Sequence, residues 1–112
     1  MPVTIQKLVY EFASDMKQLF KEQLNSVIVY GSYARGDYTN DSDIDIMILV
    51  DNSEDEIRNY TDRVADQAFE YLMKYGIQIS PVIKNEHHFK YWMDNLPYYR
   101  NIRDEGVIVH AG

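Results

Sequence analysis

Two apolar runs joined by a short polar segment constrain this chain more than anything else in it. Ser26-Val27-Ile28-Val29-Tyr30 leads into a glycine, and Ile44-Asp45-Ile46-Met47-Ile48-Leu49-Val50 leads away from a pair of aspartates. Both runs are rich in β-branched residues and bounded by turn formers, so both predict strands. The segment between them opens with Gly31-Ser32-Tyr33-Ala34-Arg35-Gly36 and closes with Ser42-Asp43-Ile44-Asp45, with ten residues between Ser32 and Asp43. Side chains two apart on a strand share a face, so Asp43 and Asp45 present both carboxylates to one point. Like charges placed in this way repel, and a cation between them removes the penalty. Oxygen-only ligation suits a hard divalent ion such as Mg²⁺, which takes one or two carboxylates together with substrate phosphates.

Gly31 ends a strand and begins a turn, where the lack of a Cβ lets backbone N–H groups come close to a ligand. Ser32 adds a hydroxyl, and Tyr33-Ala34-Arg35 fits the first turn of a short helix, whose free N–H groups suit an anion. A Gly-Ser pair alone reads as an ordinary turn, and Asp-x-Asp alone reads as a solvated strand edge. Together, at this spacing and between two strands, they point to a phosphate-and-metal site.

Gly31-Ser32, ten residues and then Asp43-Ile44-Asp45 resembles the signature of the DNA polymerase β-like nucleotidyltransferase superfamily. The longer string GSYARGDYTNDSDIDIMILV is similar to that of the minimal nucleotidyltransferases, the single-domain prokaryotic members. The resemblance implies an α/β fold of the α+β kind, a small mixed sheet packed with helices, as one domain over residues 1–112. It implies that Gly31 and Ser32 hold the β- and γ-phosphates of a nucleoside triphosphate. Asp43 and Asp45 would be the catalytic carboxylates and the Mg²⁺ ligands, and Arg35 and Ser42 would belong to the nucleotide-binding segment. The superfamily usually adds a third carboxylate from a neighbouring strand. The corresponding run here, Ile77 to Ile83, has no Asp or Glu, and Gln78 stands at the expected position with Ser80 as second candidate. A neutral amide accepts a hydrogen bond but takes no proton at neutral pH.

Two functions follow from the resemblance. One is transfer of AMP from ATP to a hydroxyl, a tyrosine of a HEPN-domain toxin partner. The other is a catalytically weak or inactive nucleotide-binding antitoxin that acts by forming a complex. An antibiotic-modifying nucleotidyltransferase is a third reading, disfavoured because such enzymes usually carry a further domain that helps bind the drug.

Composition narrows the partners. With 18 acidic and 11 basic residues the chain carries a formal charge of −7, which argues against a nucleic-acid partner. At 112 residues it suits one domain with a usable core. The sequence has no run near the roughly 20 apolar residues of a membrane span and no signal-peptide pattern. The absence of cysteine excludes disulfides and thiolate metal sites and fits a cytoplasmic protein. Self-association is left open.

The rest of the chain supplies the frame. Residues 3–24 place Val3, Ile5, Leu8, Val9, Phe12, Met16, Leu19 and Phe20 at helical spacing. Ser53 with Glu56 is a capping-box pattern that opens a second helix, carrying Ile57, Tyr60, Val64, Ala68, Leu72 and Tyr75 on one face and capped by Gly76. Ile77–Ile83 reads as a third strand, and Pro81 assigns it to an edge or a bulge. Asn85 caps a helix through Trp92, Pro97 starts another that Gly106 ends, and Val107–Val109 closes the sheet. The adjacent His87 and His88 point in different directions on a helix and read as surface residues. Tyr91, Trp92, Tyr98 and Tyr99 read as completing a small core, with a partner-binding aromatic patch as the alternative.

Overall fold

β2 (Ile44–Val50) is an apolar strand with hydrogen-bonded neighbours on both edges, and the other elements are arranged around it. A computed structural model describes residues 1–111. Its order is α1 (Val3–Phe20), β1 (Leu24–Tyr30), α2 (Ser32–Arg35), β2, α3 (Glu54–Arg58), α4 (Thr61–Tyr75), β3 (Ile79–Asn85), α5 (Glu86–Trp92), α6 (Pro97–Glu105) and β4 (Val107–Ala111). The strands form one mixed sheet in the order β3-β2-β1-β4. β1 runs antiparallel to β2 and β4, and β3 runs parallel to β2. This is the small mixed sheet packed with helices that the sequence predicts.

Strand alternation sorts the sheet into two faces. Val27, Val29, Ile44, Ile46, Ile48 and Val50 join one core with the buried stripe Ile5, Leu8, Phe12 and Met16 of α1 and Val64, Ala68 and Tyr71 of α4. Asp15 ties the two helices together, accepting from Gln67 Nε2 at 2.8 Å and from the Tyr71 hydroxyl. Burial and that bond to Asp15 push the Tyr71 hydroxyl far up, so it remains a donor at any physiological pH. On the other face Ile28, Met47 and Leu49 meet Phe89 of α5 and Tyr99 and Ile102 of α6. Asp45 alternates onto this second face, so the strand that forms the core also delivers a carboxylate away from α1 and α4.

Several boundaries differ from the sequence expectation for identifiable reasons. The first helix stops at Phe20 rather than at residue 24, because Leu24 is drawn into the sheet as the Cα partner of Val50 and is buried there. Lys21 makes the turn with a φ of 56°. The second helix is two, α3 and α4: Asn59 and Tyr60 donate to Glu56 and Ile57, three residues back, which tightens the backbone out of α-geometry. Tyr60 instead packs on Phe20 with ring centroids 4.6 Å apart, Tyr71 takes the buried position, and Tyr75 is exposed. The capping box at Ser53 is present in both directions, at 3.3 Å and 2.9 Å, and Gly76 ends α4 with a φ of 70°.

β3 begins at Ile79 and ends at Asn85, not Ile77 to Ile83, since its register follows β2 from Ile44↔Ile79 to Val50↔Asn85. Pro81 sits on this edge strand, where a missing N–H is harmless. Asn85 caps α5 by accepting from His88 N–H at 2.9 Å, and His87 and His88 are exposed. The aromatic group divides: Tyr99 is buried, while Tyr91, Trp92 and Tyr98 stay exposed. Among the described residues no helix is long and apolar enough to cross a membrane.

Gly106 ends α6 for want of space rather than for a left-handed turn. Its φ is −67°, and a Cβ there would run into the Ile102 carbonyl oxygen and the Ile28 side chain. Gly106→Ala should therefore lower stability by about 1–3 kcal/mol through overpacking, read as a lower urea midpoint with an unchanged slope. An unaltered midpoint would show that α6 shifts freely over β1.

Candidate active site

The Gly-Ser turn and the carboxylates meet at one end of the sheet. Tyr30, the last residue of β1, is the Cα partner of Asp45, so the turn that follows Tyr30 leaves the sheet beside that aspartate. Gly31 has a φ of 73°, in the region that L side chains avoid, and a Cβ on it would overlap Asp45 Oδ2. Glycine is required there twice over, by its backbone angle and by its neighbour. The Gly31 carbonyl accepts from Ala34 N–H at 3.1 Å and Arg35 N–H at 3.0 Å, which starts the single turn of α2. The N–H groups of Ser32 and Tyr33 have no backbone acceptor among the described residues.

The loop from Gly36 to Asp43 is braced from within. Gly36 takes a φ of 88°, Thr39 N–H donates to Ser42 Oγ at 2.9 Å, and Ser42 N–H donates to the Thr39 carbonyl at 3.1 Å. Ser42, expected to touch nucleotide, thus has its hydroxyl engaged in holding the approach to Asp43. Arg35 Nε bonds Asp37 Oδ2 at 3.2 Å, and its Nη1 lies 3.6 Å from Glu105 Oε2, linking the turn to α6. Tyr33 stacks on Tyr38 with parallel rings 4.4 Å apart and closes the loop over the turn.

Asp43 is exposed and Asp45 half-buried. Burial, then the charge on Asp43, raises the Asp45 carboxyl above its usual range, while Arg35 pulls the other way. Two carboxylates close enough to repel, one exposed and one half-buried, make a donor set that could hold a hard divalent cation. Among the described residues no third His, Cys, Asp or Glu completes a cluster with them. Ser80 is the Cα partner of Asp45 on β3. Gln78 stands one residue before that strand, where its carbonyl accepts from Ile44 N–H at 2.9 Å, beside Asp43. It also borders a hollow formed with Ala68, Phe69 and Leu72 of α4.

Sequence reasoning did not bring Tyr30, Asn101 or Glu105 to the site, and it read Tyr98 only as part of an aromatic group. The hydroxyls of Tyr30 and Tyr98 lie 2.7 Å apart. Burial, the bond to Tyr98 and the nearby Asp45 push the Tyr30 hydroxyl far up, so it stays protonated. The available signal was the spacing Tyr98, Asn101, Ile102, Glu105, which is one face of a helix. Only the tertiary fold shows that this face looks at Gly31.

A family model described as a nucleotidyltransferase domain matches residues 9–108. A relative from Methanocaldococcus jannaschii, named "Putative protein adenylyltransferase", is 34% identical over 105 residues, covering 94% of this chain and 97% of the relative. Among solved structures, a "putative nucleotidyltransferase" from Sulfolobus solfataricus superposes with a TM-score of 0.63 at 21% identity, covering 95% of this chain and 79% of that one. A chain of a toxin–antitoxin structure with AMP-PNP gives 0.58 at 15% identity, covering 92% and 73%.

The raised Asp45 carboxyl fixes a pH dependence. The folded chain holds that proton more tightly than the unfolded chain, so the ionised form costs stability at neutral pH. The cost fades as pH falls towards the ordinary aspartate value of about 3.9. Asp45→Asn should raise the metal-free melting temperature at pH 7, with a gain that shrinks on acidification. A gain that is absent at pH 7, or that grows in acid, would contradict the assigned environment.

Proposed function

The chain belongs to the nucleotidyltransferase domain family, and from that premise we propose that it moves a nucleoside monophosphate, AMP from ATP, onto a hydroxyl of a partner protein. The observation that carries the reading is the contact between the Gly31 turn and Asp45. It brings a backbone surface open to phosphate against an acidic pair suited to Mg²⁺. Asp43 and Asp45 would hold the metal, which when bound neutralises triphosphate charge and favours departure of pyrophosphate. Gly31 and the free N–H groups of Ser32 and Tyr33 would receive the terminal phosphates. Arg35, kept in place by Asp37 and Glu105, adds positive charge beside the turn. Ser42 holds the loop that presents Asp43. The acceptor hydroxyl's oxygen would bond the α-phosphorus as the bond to the β-phosphate breaks, pyrophosphate leaving and the hydroxyl proton passing to solvent.

A protein acceptor is supported by the protein adenylyltransferase names of the sequence relatives. A toxin partner is supported by the toxin–antitoxin fold neighbour, and the minimal-nucleotidyltransferase resemblance points to a HEPN-domain protein and to a tyrosine on it. Incubation with labelled ATP, Mg²⁺ and the product of the adjacent gene, followed by mass analysis of both proteins, tests this directly. The partner should gain AMP, and Asp43→Asn and Asp45→Asn should abolish the gain. Label that persists in both variants would remove the acidic pair from the chemistry.

A second reading has its own observation, the lack of a third acidic group beside the pair among the described residues. On that reading the protein binds nucleotide and partner but transfers slowly. Gln78 and Ser80 are the positions at which a carboxylate would complete the set. Supplying one, as Gln78→Glu or Ser80→Asp, should raise transfer by ~10²–10⁴-fold if a missing base limits the rate. Unchanged single-turnover rates in both variants would mean that the acceptor's proton leaves by another route.

A further inference from the structure

Between the end of β1 and α6 lies a hollow of about 210 Å³, bordered on one side by Gly31 and Arg35 of the turn and on the other by α6. Its base is the buried Ile102. The rings of Tyr30 and Tyr98 stand edge to face at 5.8 Å and form an aromatic wall. The exposed carboxamide of Asn101 has no hydrogen-bond partner among the described residues, so both its donor and its acceptor face solvent unused. Glu105 completes the rim, held 3.6 Å from Arg35. Another phosphate is a poor occupant, because Arg35, the cation lining the hollow, is already shared between Asp37 and Glu105, and the Tyr30 hydroxyl is committed to Tyr98. A flat heteroaromatic ring fits better: it covers the apolar base and the tyrosine, and it presents an edge to one amide.

We propose that this hollow seats the base of the nucleotide, that Asn101 reads the edge of that base, and that the choice is adenine. The inference rests on the triphosphate lying at the Gly31–Ser32 turn, which adjoins the hollow. Adenine sets an amino donor beside a ring-nitrogen acceptor, and an asparagine amide meets the two as a pair. Glu105 can accept the second amino hydrogen. Guanine puts an oxygen where that amino group stands, next to the Glu105 carboxylate. Cytosine repeats the donor–acceptor pattern but covers less of Tyr98.

The test is calorimetric titration of wild type, Asn101→Ala, Asn101→Asp and Tyr98→Ala with Mg-ATP, Mg-GTP, Mg-CTP and inorganic tripolyphosphate. Asn101 and Tyr98 are exposed, so the variants should fold. Both Asn101 variants should weaken ATP about tenfold and narrow its lead over GTP. Tyr98→Ala should weaken all three nucleotides by about tenfold. Tripolyphosphate should bind every form equally. An unchanged ATP-to-GTP ratio in the Asn101 variants overturns the base seat, as does a wild type that holds tripolyphosphate as tightly as ATP. A wild type that binds neither ATP nor tripolyphosphate overturns the proposed function and this inference with it.

Discussion

Everything in this molecule hangs on the double burial of β2. One face of the strand supplies Ile44, Ile46, Ile48 and Val50 to the core with α1 and α4, and the other supplies Met47 and Leu49 to the core with α5 and α6. A one-residue shift would exchange its two faces, misfit both cores and turn Asp45 towards α1 and α4, so the register is held. Asp45 therefore inherits its position from the hydrophobic packing of the residues that follow it. The parallel pairing that sets Ser80 beside Asp45 and the antiparallel pairing that sets Tyr30 beside it both follow from the same register.

The acidic pair is maintained against its own repulsion, and the rest of the site limits the damage. Asp43 remains in solvent, Asp45 is half-buried, and Arg35 is near enough to favour the ionised form of Asp45. Arg35 is itself divided between Asp37 and Glu105. The turn thus receives charge compensation through a residue tied to α6, and it gains no rigid salt bridge to the pair. A metal ion would find the carboxylates accessible and unneutralised.

The sequence made the site's local half readable and left its distant half hidden. Gly31, Ser32, Asp43 and Asp45 lie close together along the chain; Asp45 is on β2 and the other three flank the ends of two strongly patterned, paired strands, so their meeting follows from that pairing and one turn. The capping box at Ser53 and the glycine cap at Gly76 were legible for the same reason, each being a local rule with a single outcome, and Pro81 left two, an edge or a bulge, of which the structure shows the edge. The break at Asn59–Tyr60 was not, because it depends on Tyr60 packing against Phe20 from another helix. Nor was the start of β3, which is dictated by where β2 begins. Gly106 reads as a helix-ending glycine, yet its requirement comes from Ile28 across the sheet.

The bond between Tyr30 and Tyr98 spans 68 positions of the chain. The Gly31–Ser32 turn and the acidic pair come from one contiguous segment, whereas the aromatic wall beside them belongs in part to a helix that packs on the sheet from far along the sequence. Such a division makes the two halves separable by substitution. Substitutions at Tyr98, Asn101 and Glu105 of α6 would reshape the hollow while β1, the turn and β2 stay untouched. The turn and the acidic pair are thus fixed by the folding core, whereas the aromatic wall rides on a helix that packs through its buried Tyr99 and Ile102.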